Sequence, residues 1–356
     1  MLGLETDTLV NLAGLACGLG LGLAARLGRF CIMGAIEDAS YGANLSRLRM
    51  VALALAVAIT GTWIAITAGG VLPEEIPYLV SSWSLIGAVL GGSMFGFGMA
   101  LVGTCGFGAL ARLGGGDLRS LVTVVAIGVS AYVTLNGPLE AVRLALVPPG
   151  EGGDSLAQSI GSILSLPPLA VALSVSALFF GFAFWRGTRS MTARMLIAGI
   201  SVGFLVPCAW LVTRWASEDG FAIIRVEAFT FVAPLGESIL YLMSVSDLSL
   251  PGFGISTVLG VVVGACFGAG LMLEFRWESC DDPRDLKRQL LGAVLMGCGG
   301  ILALGCTIGQ GISAFSVLAP SAPIAALSIL IGARVGLYVL VEGRSLKHFL
   351  RRITVE

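Results

Sequence analysis

Two glycine-rich stretches of this chain each present a cysteine where an apolar helix should break. The first reads Gly96-Phe97-Gly98 and then Gly103-Thr104-Cys105-Gly106-Phe107-Gly108; the second reads Gly297-Cys298-Gly299 and then Gly305-Cys306-Thr307-Ile308-Gly309. Cys105 and Cys306 lie 201 positions apart, and so do the other matching positions. A broken apolar helix in each half of a chain is typical of a transporter's binding site. Because each break also carries a thiol, the sequence predicts a substrate that a thiol can hold.

The composition indicates a membrane protein with many crossings. Only 12% of the residues are charged and 56% are hydrophobic, and there are 50 glycines, which is typical of closely packed or broken transmembrane helices. A net charge of −1 argues against a nucleic-acid partner. Neither lysine follows a glycine-rich loop, so no ATPase is expected, and the acidic start does not resemble a cleaved signal peptide.

Hydropathy predicts an all-α protein with about nine transmembrane helices, since a crossing needs about 20 apolar residues. The predicted spans are 7–27, 48–69, 83–103, 117–137, 168–185, 193–213, 253–275, 287–305 and 321–342. Four apolar pieces are too short or too broken to cross, at 30–40, 105–113, 229–246 and 306–318. Such pieces are tolerated at membrane depth where they are buried in protein or line a cavity, so we expect short re-entrant helices.

The arginines and lysines predict the orientation. With nine spans, 17 of the 21 basic residues fall in alternate loops and in the C-terminal tail, and only Arg143, Arg214 and Arg225 fall on the other side. Basic residues accumulate on the cytoplasmic side. We therefore expect an outside N-terminus and a cytoplasmic C-terminus.

The order of long and short pieces predicts one transmembrane domain, 1–356, built from two inverted repeats. Repeat one covers about 7–137 and repeat two about 193–342, and each reads helix, short piece, two helices, short piece, helix. The helix at about 168–185 joins them and inverts the second repeat relative to the first. Cys105 would then enter from the cytoplasmic side and Cys306 from outside, so that both meet near the midplane.

The two breaks can form an anion site without a lysine. A half-helix that starts at a break directs unpaired N–H groups and a partial positive charge toward the cavity. A thiol adds a weak donor and a polarizable sulfur, which favours a sulfur-bearing anion over an oxyanion such as sulfate. We expect neutral thiols, because a thiolate would repel an anion. The candidate substrate-binding residues in the two breaks are Gly103, Thr104, Cys105, Gly106, Gly305, Cys306, Thr307 and Gly309.

The remaining cysteines carry weaker signals, since a buried free cysteine is usually an apolar filler. That interpretation is favoured for Cys17, Cys208, Cys266 and Cys298, while Cys280 lies in a charged loop, where we expect a solvated thiol. Cys31, on a third broken piece, is a further substrate-binding candidate or a filler. Arg334 in the last span faces substrate or pairs with a carboxylate such as Glu237.

At these motifs the chain resembles the YeeE/YedE family of sulfur-transport membrane proteins. The resemblance covers most of the chain and is carried by Gly103-Thr104-Cys105, Gly305-Cys306-Thr307-Ile308-Gly309-Gln310-Gly311, Phe30-Cys31 with Gly34-Ala35, and Phe231 with Ala233-Pro234-Leu235-Gly236-Glu237. It implies an hourglass-shaped inner-membrane protein of bacteria that takes up thiosulfate. It also implies a relay along Cys306, Cys105 and Cys31 by S–H···S contacts, and a cytoplasmic sulfur-carrier partner. The family typically has glycine where this chain has Thr104 and Leu304, which leaves the sulfur anion open.

Three functions follow from the sequence, and a transporter of thiosulfate or a related small sulfur anion leads. A membrane thiol oxidoreductase would need two cysteines within bridging distance, and the chain has no Cys-x-x-Cys motif. A permease for a soft metal or a selenium species would also use thiols, but the single histidine and the lack of metal-binding spacing count against a metal. We therefore expect no enzymatic activity, cofactor or bound metal.

Overall fold

The computed structural model describes residues 2–42, 44–147, 155–185, 191–218, 225–243, 251–278 and 283–342. Across these ranges the chain is helical and contains no β-strand. The long helices are α1 (Leu2–Leu27), α3 (Ser46–Thr67), α5 (Leu85–Val102), α7 (Leu118–Asn136), α10 (Pro168–Phe184), α11 (Ala193–Glu218), α13 (Phe253–Leu271), α14 (Pro283–Leu302) and α15 (Ser321–Glu342). Each coincides with one of the spans predicted from the sequence. The all-α fold is confirmed.

The short elements occupy the four broken apolar pieces and the connections. The pieces form α2 (Ile32–Ser40), α6 (Gly106–Gly114), α12 (Val232–Met243) and a π-helical turn at Gly309–Ala314. The connections contain a 3₁₀ turn (Pro73–Glu75), α4 (Pro77–Val80), α8 (Glu140–Leu146) and α9 (Leu156–Leu164). The short pieces therefore fold as helices that are too short to cross a bilayer.

The number of crossings depends on how the bent segments are counted. Among the described residues, seven helical segments are long and apolar enough to span a membrane, or eight if α9 and α10 form one bent span. The predicted span at α14 falls outside this set because its first turns are charged, and α10 has only 17 residues. The protein is a multi-pass membrane protein, and the number nine stays a prediction.

Helix packing has the exchange symmetry that an inverted repeat requires. Helix α1 packs on α13 as α11 packs on α3, and α5 packs on α15 as α14 packs on α7. The short helices follow the same exchange, since α2 contacts α3 and α15 while α12 contacts α13 and α7. On these pairings we propose that the two predicted repeats, about 7–137 and 193–342, are related by a two-fold axis, with the helix at 168–185 as the connection.

Close helix contacts depend on small residues, as is usual in membranes. Gly18 and Gly22 of α1 lie against the backbone of α13, and a side chain at either position would collide with backbone atoms there. The α5–α15 contact uses Gly96 in the same way. These tight pairs bury the short helices between them and place the breaks inside the protein.

Candidate functional site

The first break is built by a left-handed glycine followed by a cysteine cap. Helix α5 ends in Gly103, whose φ of +78° is a conformation that side chains disfavour. The Gly103 carbonyl accepts a hydrogen bond from Arg112 Nη2 at 2.9 Å. The chain then turns, and Cys105 forms the N-cap of α6, with its Sγ accepting a hydrogen bond from the Gly108 N–H at 3.5 Å.

The second break has the same cysteine-to-glycine hydrogen bond, here just before a π-helical turn. After α14 ends, Leu304 adopts a φ of +58° and Gly305 a φ of +157°. The Cys306 Sγ then accepts a hydrogen bond from the Gly309 N–H at 3.4 Å. The residues that follow form the π-helical turn rather than an α-helix, and such turns are frequent at functional sites.

Cys31 caps a third short helix by the same bond. Its Sγ accepts a hydrogen bond from the Gly34 N–H at 3.4 Å at the start of α2. Beside it, the guanidinium of Arg47 packs over Gly34 and pairs with Asp38 at 3.3 Å. All three cysteines thus occupy a Cys-x-x-Gly pattern whose glycine donates to the thiol, a relationship that the sequence spacing alone did not reveal.

The structure brings the two predicted breaks together. Cys105 lies within electrostatic range of both Cys31 and Cys306, and the Thr307 hydroxyl lies beside the Cys105 thiol. Cys105 and Cys306 are each 1% exposed, whereas Cys31 is half-buried. Cys105 therefore has both of the other thiols as neighbours.

Buried polar groups without partners surround these thiols. Among the described residues, no hydrogen bond satisfies the hydroxyl of Thr104 or the amide nitrogen of Gln310, and the Thr307 hydroxyl has only the Cys105 thiol beside it. All three side chains are almost completely buried. An unsatisfied buried donor costs about 1–3 kcal/mol, so Thr104 and Gln310, beside the weakly bonded Thr307, are candidate donors to a ligand with acceptor oxygens.

Gln310 was missed as a site residue although it lies in a motif quoted for the family resemblance. Its Oε1 accepts a hydrogen bond from Ser321 Oγ at 3.3 Å, which fixes the amide and leaves Nε2 free. Its Cγ packs over Gly305. A glutamine within an apolar segment was the available signal, because polar groups at membrane depth are usually functional.

A cavity of about 310 Å³ leads to the Cys306 break from one side, and we call it the charged cavity. Its polar and break-forming residues include Tyr78, Ser81, Arg143, Arg225, Glu227, Thr230, Glu237, Leu304 and Gly305. At its base, Gly309 leaves room for two hydroxyls, since a side chain there would meet Thr230 Oγ1 and Tyr78 Oη at 3.0 Å. Tyr78 and Thr230 were not predicted, because elements distant in sequence bring them to the break.

The charges in this cavity are mixed. Arg143 pairs with Glu140 at 3.4 Å, and Arg225 is exposed. Burial, with the nearby charge of Glu237 as the second cause, raises the pKa of Glu227 to about 7. Burial also raises the pKa of Tyr78, which keeps its hydroxyl a hydrogen-bond donor at neutral pH.

The other cysteines lie apart from the breaks or at their edge. Cys17 is buried, Cys208 is half-buried, and Cys298 reaches the Ser130 carbonyl at 4.0 Å. Cys266 is exposed on α13, so its interpretation as a buried filler was wrong, and Cys280 lies outside the described residues.

Arg334 fits neither interpretation offered for it. Its side chain is exposed on α15, and it does not line the charged cavity, whereas Glu237 does. Within the part of the chain that the structure describes, the two form no ion pair. Arg334 is therefore not a candidate for the site.

Comparison with known proteins places this geometry in a functional context. A family profile described as "Sulphur transport" matches residues 27–335. The thiosulfate transporter TsuA of Escherichia coli (strain K12) is 26% identical over 319 residues, covering 85% of this chain and 86% of the relative. The thiosulfate transporter TsuA of Spirochaeta thermophila is 25% identical over 338 residues, covering 90% and 96%.

Proposed function

Because the chain belongs to the sulphur-transport family, we propose that this membrane transporter takes up thiosulfate across the inner membrane of a bacterium. The observation that carries the proposal is the repeated cap: three cysteines, each bonded to the N–H of a glycine three residues later, lie next to one another inside the helix bundle. Similarity to two thiosulfate transporters along most of the chain supports the same substrate.

The caps orient the thiols for a sulfur ligand. Each Sγ already accepts an N–H bond, so its own S–H remains to donate. The terminal sulfur of thiosulfate is a large, polarizable acceptor that suits a weak, polarizable donor. A neutral thiol binds this sulfur without opposing the charge of the anion, and the N-termini of α2 and α6 add partial positive charge.

The unpartnered polar groups suit the other end of the anion. Thiosulfate carries three oxygens that accept hydrogen bonds; Thr104 and Gln310 offer donors that lack protein partners in the described ranges, and Thr307 offers a hydroxyl whose neighbour is the Cys105 thiol. Thr307 lies beside Cys105, and Gln310 packs over Gly305. The site therefore has thiols for the sulfur and hydroxyl or amide donors for the oxygens, next to the backbone of Gly103, Gly106, Gly305 and Gly309.

The route that we propose runs through the thiols in order. An anion enters the charged cavity, meets Cys306 below Tyr78 and Thr230, passes to Cys105, and leaves past Cys31. Arg143 and Arg225, near the entrance, belong to the few basic residues that the predicted topology places outside, and Arg47 beside Cys31 belongs to the cytoplasmic set. This direction requires the N-terminus outside and the C-terminus in the cytoplasm.

A cytoplasmic sulfur-carrier protein is the partner that we propose for the exit. Cys31 is the half-buried thiol of the three, and it neighbours the Arg47–Asp38 pair at 3.3 Å. A partner that docks there would receive the anion as it leaves the last thiol.

The test is uptake of ³⁵S-thiosulfate into right-side-out vesicles that contain the protein. We expect uptake above that of vesicles without the protein, strong competition by unlabelled thiosulfate and weak competition by sulfate, which has no soft sulfur. Selenite is included as a third competitor, because the substitutions at Thr104 and Leu304 bear on anion choice. Equal competition by sulfate and thiosulfate, or no uptake, would contradict the proposed function.

A further inference from the structure

A carboxyl group lies where an anion would enter. Glu227 lines the charged cavity together with Arg143 and Arg225, at the entrance to the Cys306 break. An ionised carboxylate there would repel a divalent anion at short range. Anion entry is therefore easier when the Glu227 carboxyl is protonated than when it is ionised.

The position of Glu227 is fixed by its backbone. Its N–H donates to Thr213 Oγ1 at 3.2 Å, and its carbonyl accepts from the same hydroxyl at 2.9 Å. The carboxyl group faces the start of α13, where the Gly254 N–H donates to it. The segment before α12 thus holds this acid rigidly in the cavity wall.

Several charged or titratable groups share the cavity with the Glu227 carboxyl. They are Tyr78 on α4, Arg143 on α8, Arg225 on the same segment and Glu237 on α12. No arginine of the described residues lies within ion-pair distance of it, and Arg214 on α11 is held by Glu75 and Glu218. Burial and Glu237 oppose its ionisation more than Arg225 and Gly254 favour it, which leaves its pKa near 7.

The membrane potential is one reason for an acid in this position. A divalent anion that enters a cell is opposed by a membrane potential that is negative inside. The thiols and the hydroxyl and amide donors around them carry no fixed positive charge that would offset the anion. A proton taken up at the entrance would remove one negative charge from the loaded cavity.

We propose that Glu227 is a proton-binding site of the charged cavity and that the anion occupies this cavity together with a proton on Glu227. The inference rests on the proposed function, since it requires an anion to enter by this route. Linkage makes the effect reciprocal: a bound anion favours protonated Glu227, and protonated Glu227 favours the anion. The protein therefore takes up a proton when it binds thiosulfate near neutral pH.

The experiment measures thiosulfate binding and proton uptake by the purified full-length protein between pH 6 and pH 9. For the wild type we expect an apparent Kd that is constant at low pH and weakens about tenfold per unit well above pH 7, as one titrating group requires. Adding thiosulfate at pH 7.5 should remove up to about one proton per protein from weakly buffered solution. Glu227→Gln should bind thiosulfate with a pH-independent Kd and take up no proton.

Glu237→Gln is the matched control, because it makes the same change in the same cavity. It should retain proton uptake, with the midpoint of the pH dependence moved to lower pH, since it removes a charge that raises the pKa of Glu227. A flat wild-type profile, or a Glu227→Gln variant with the wild-type profile, would overturn the proton site.

A second measurement separates this inference from the proposed function. Infrared difference spectra between pH 6 and pH 8 should show the carbonyl band of a protonated carboxyl that Glu227→Gln removes, with no anion added. If that band titrates while thiosulfate never binds, the proposed function fails and the proton site stands without its anion. If no such band titrates, the proton site is wrong.

Discussion

The backbone N–H of Gly309 donates a hydrogen bond to the Cys306 thiol at 3.4 Å. The same bond joins Gly108 to Cys105 and Gly34 to Cys31. A cysteine at an N-cap is unusual, because Ser, Thr, Asp and Asn cap better. Three cysteines at three neighbouring breaks share this weak bond, and under the proposed function their thiols serve the anion and not helix stability.

The first prediction separates the cap from the thiol at Cys306. Cys306→Ser should preserve or improve the cap, while Cys306→Ala should lose about 1 kcal/mol of stability. Both should lower thiosulfate uptake at least tenfold, because neither keeps a polarizable S–H. Thermal unfolding in detergent, together with uptake, checks this. Full uptake by the serine variant would mean that Cys306 serves as a cap alone.

The second prediction concerns the unpaired amide of Gln310. Gln310→Leu should weaken thiosulfate binding at least tenfold, because it removes a donor to the anion. Ser321→Ala alone keeps the amide and should change the Kd by less than about threefold. The double variant Gln310→Leu/Ser321→Ala removes both partners of the hydrogen bond, and it should be as stable as the wild type or more stable. Unchanged binding by Gln310→Leu would exclude Gln310 from the site.

The third prediction uses two glycines of one turn. A methyl group at Gly309 would contact the hydroxyls of Tyr78 and Thr230 at 3.0 Å, while one at Gly311 would meet no atom within 4 Å. Gly309→Ala should therefore reduce uptake severalfold by displacing the hydroxyls above Cys306. Gly311→Ala should retain it, which makes this variant the matched control. Equal uptake by both variants would show that the base of the charged cavity does not shape the route.

The fourth prediction is the pH dependence of stability. The folded-state pKa of Glu227 is raised from 4.5 to about 7, so the folded protein holds this proton more tightly than the unfolded chain. Its contribution is fully present below about pH 4.5 and is lost as pH rises through about 7, a loss of roughly 3 kcal/mol. Glu227→Gln should lack this loss, so its advantage in melting temperature should grow from pH 5 to pH 8. A constant difference between the two proteins would contradict the shifted pKa.

The long helices could be predicted from the sequence because a run of about 20 apolar residues, the length that crosses a bilayer, is visible in the hydropathy. Even the short pieces were placed closely: the piece predicted at 105–113 is α6 at Gly106–Gly114, and that at 30–40 contains α2 at Ile32–Ser40. The π-helical turn after Cys306 could not be predicted, because it depends on bonds such as Ser313 Oγ to the Phe229 carbonyl at 2.8 Å. Local sequence does not encode that contact.

The sequence predicted the cysteines of the candidate site but not the residues that other elements bring to it. The repeat of glycines and cysteines located Cys105 and Cys306, and the structure places them next to each other with Cys31. The groups that complete the site come from other elements: Tyr78 from α4, and Thr230 and Glu227 from the segment before α12. Their role depends on tertiary packing, which residue spacing does not report.

Passage of the anion along the thiols is measured by uptake in cysteine variants. ³⁵S-thiosulfate uptake should be measured in vesicles that contain equal amounts of wild type, Cys105→Ala, Cys306→Ala and Cys17→Ala. Cys17 is also buried but lies on α1, away from the breaks, so it controls for loss of a buried thiol. We expect uptake reduced at least tenfold in the Cys105 and Cys306 variants and near wild-type uptake in Cys17→Ala; wild-type uptake in both break variants would rule out passage along the thiols.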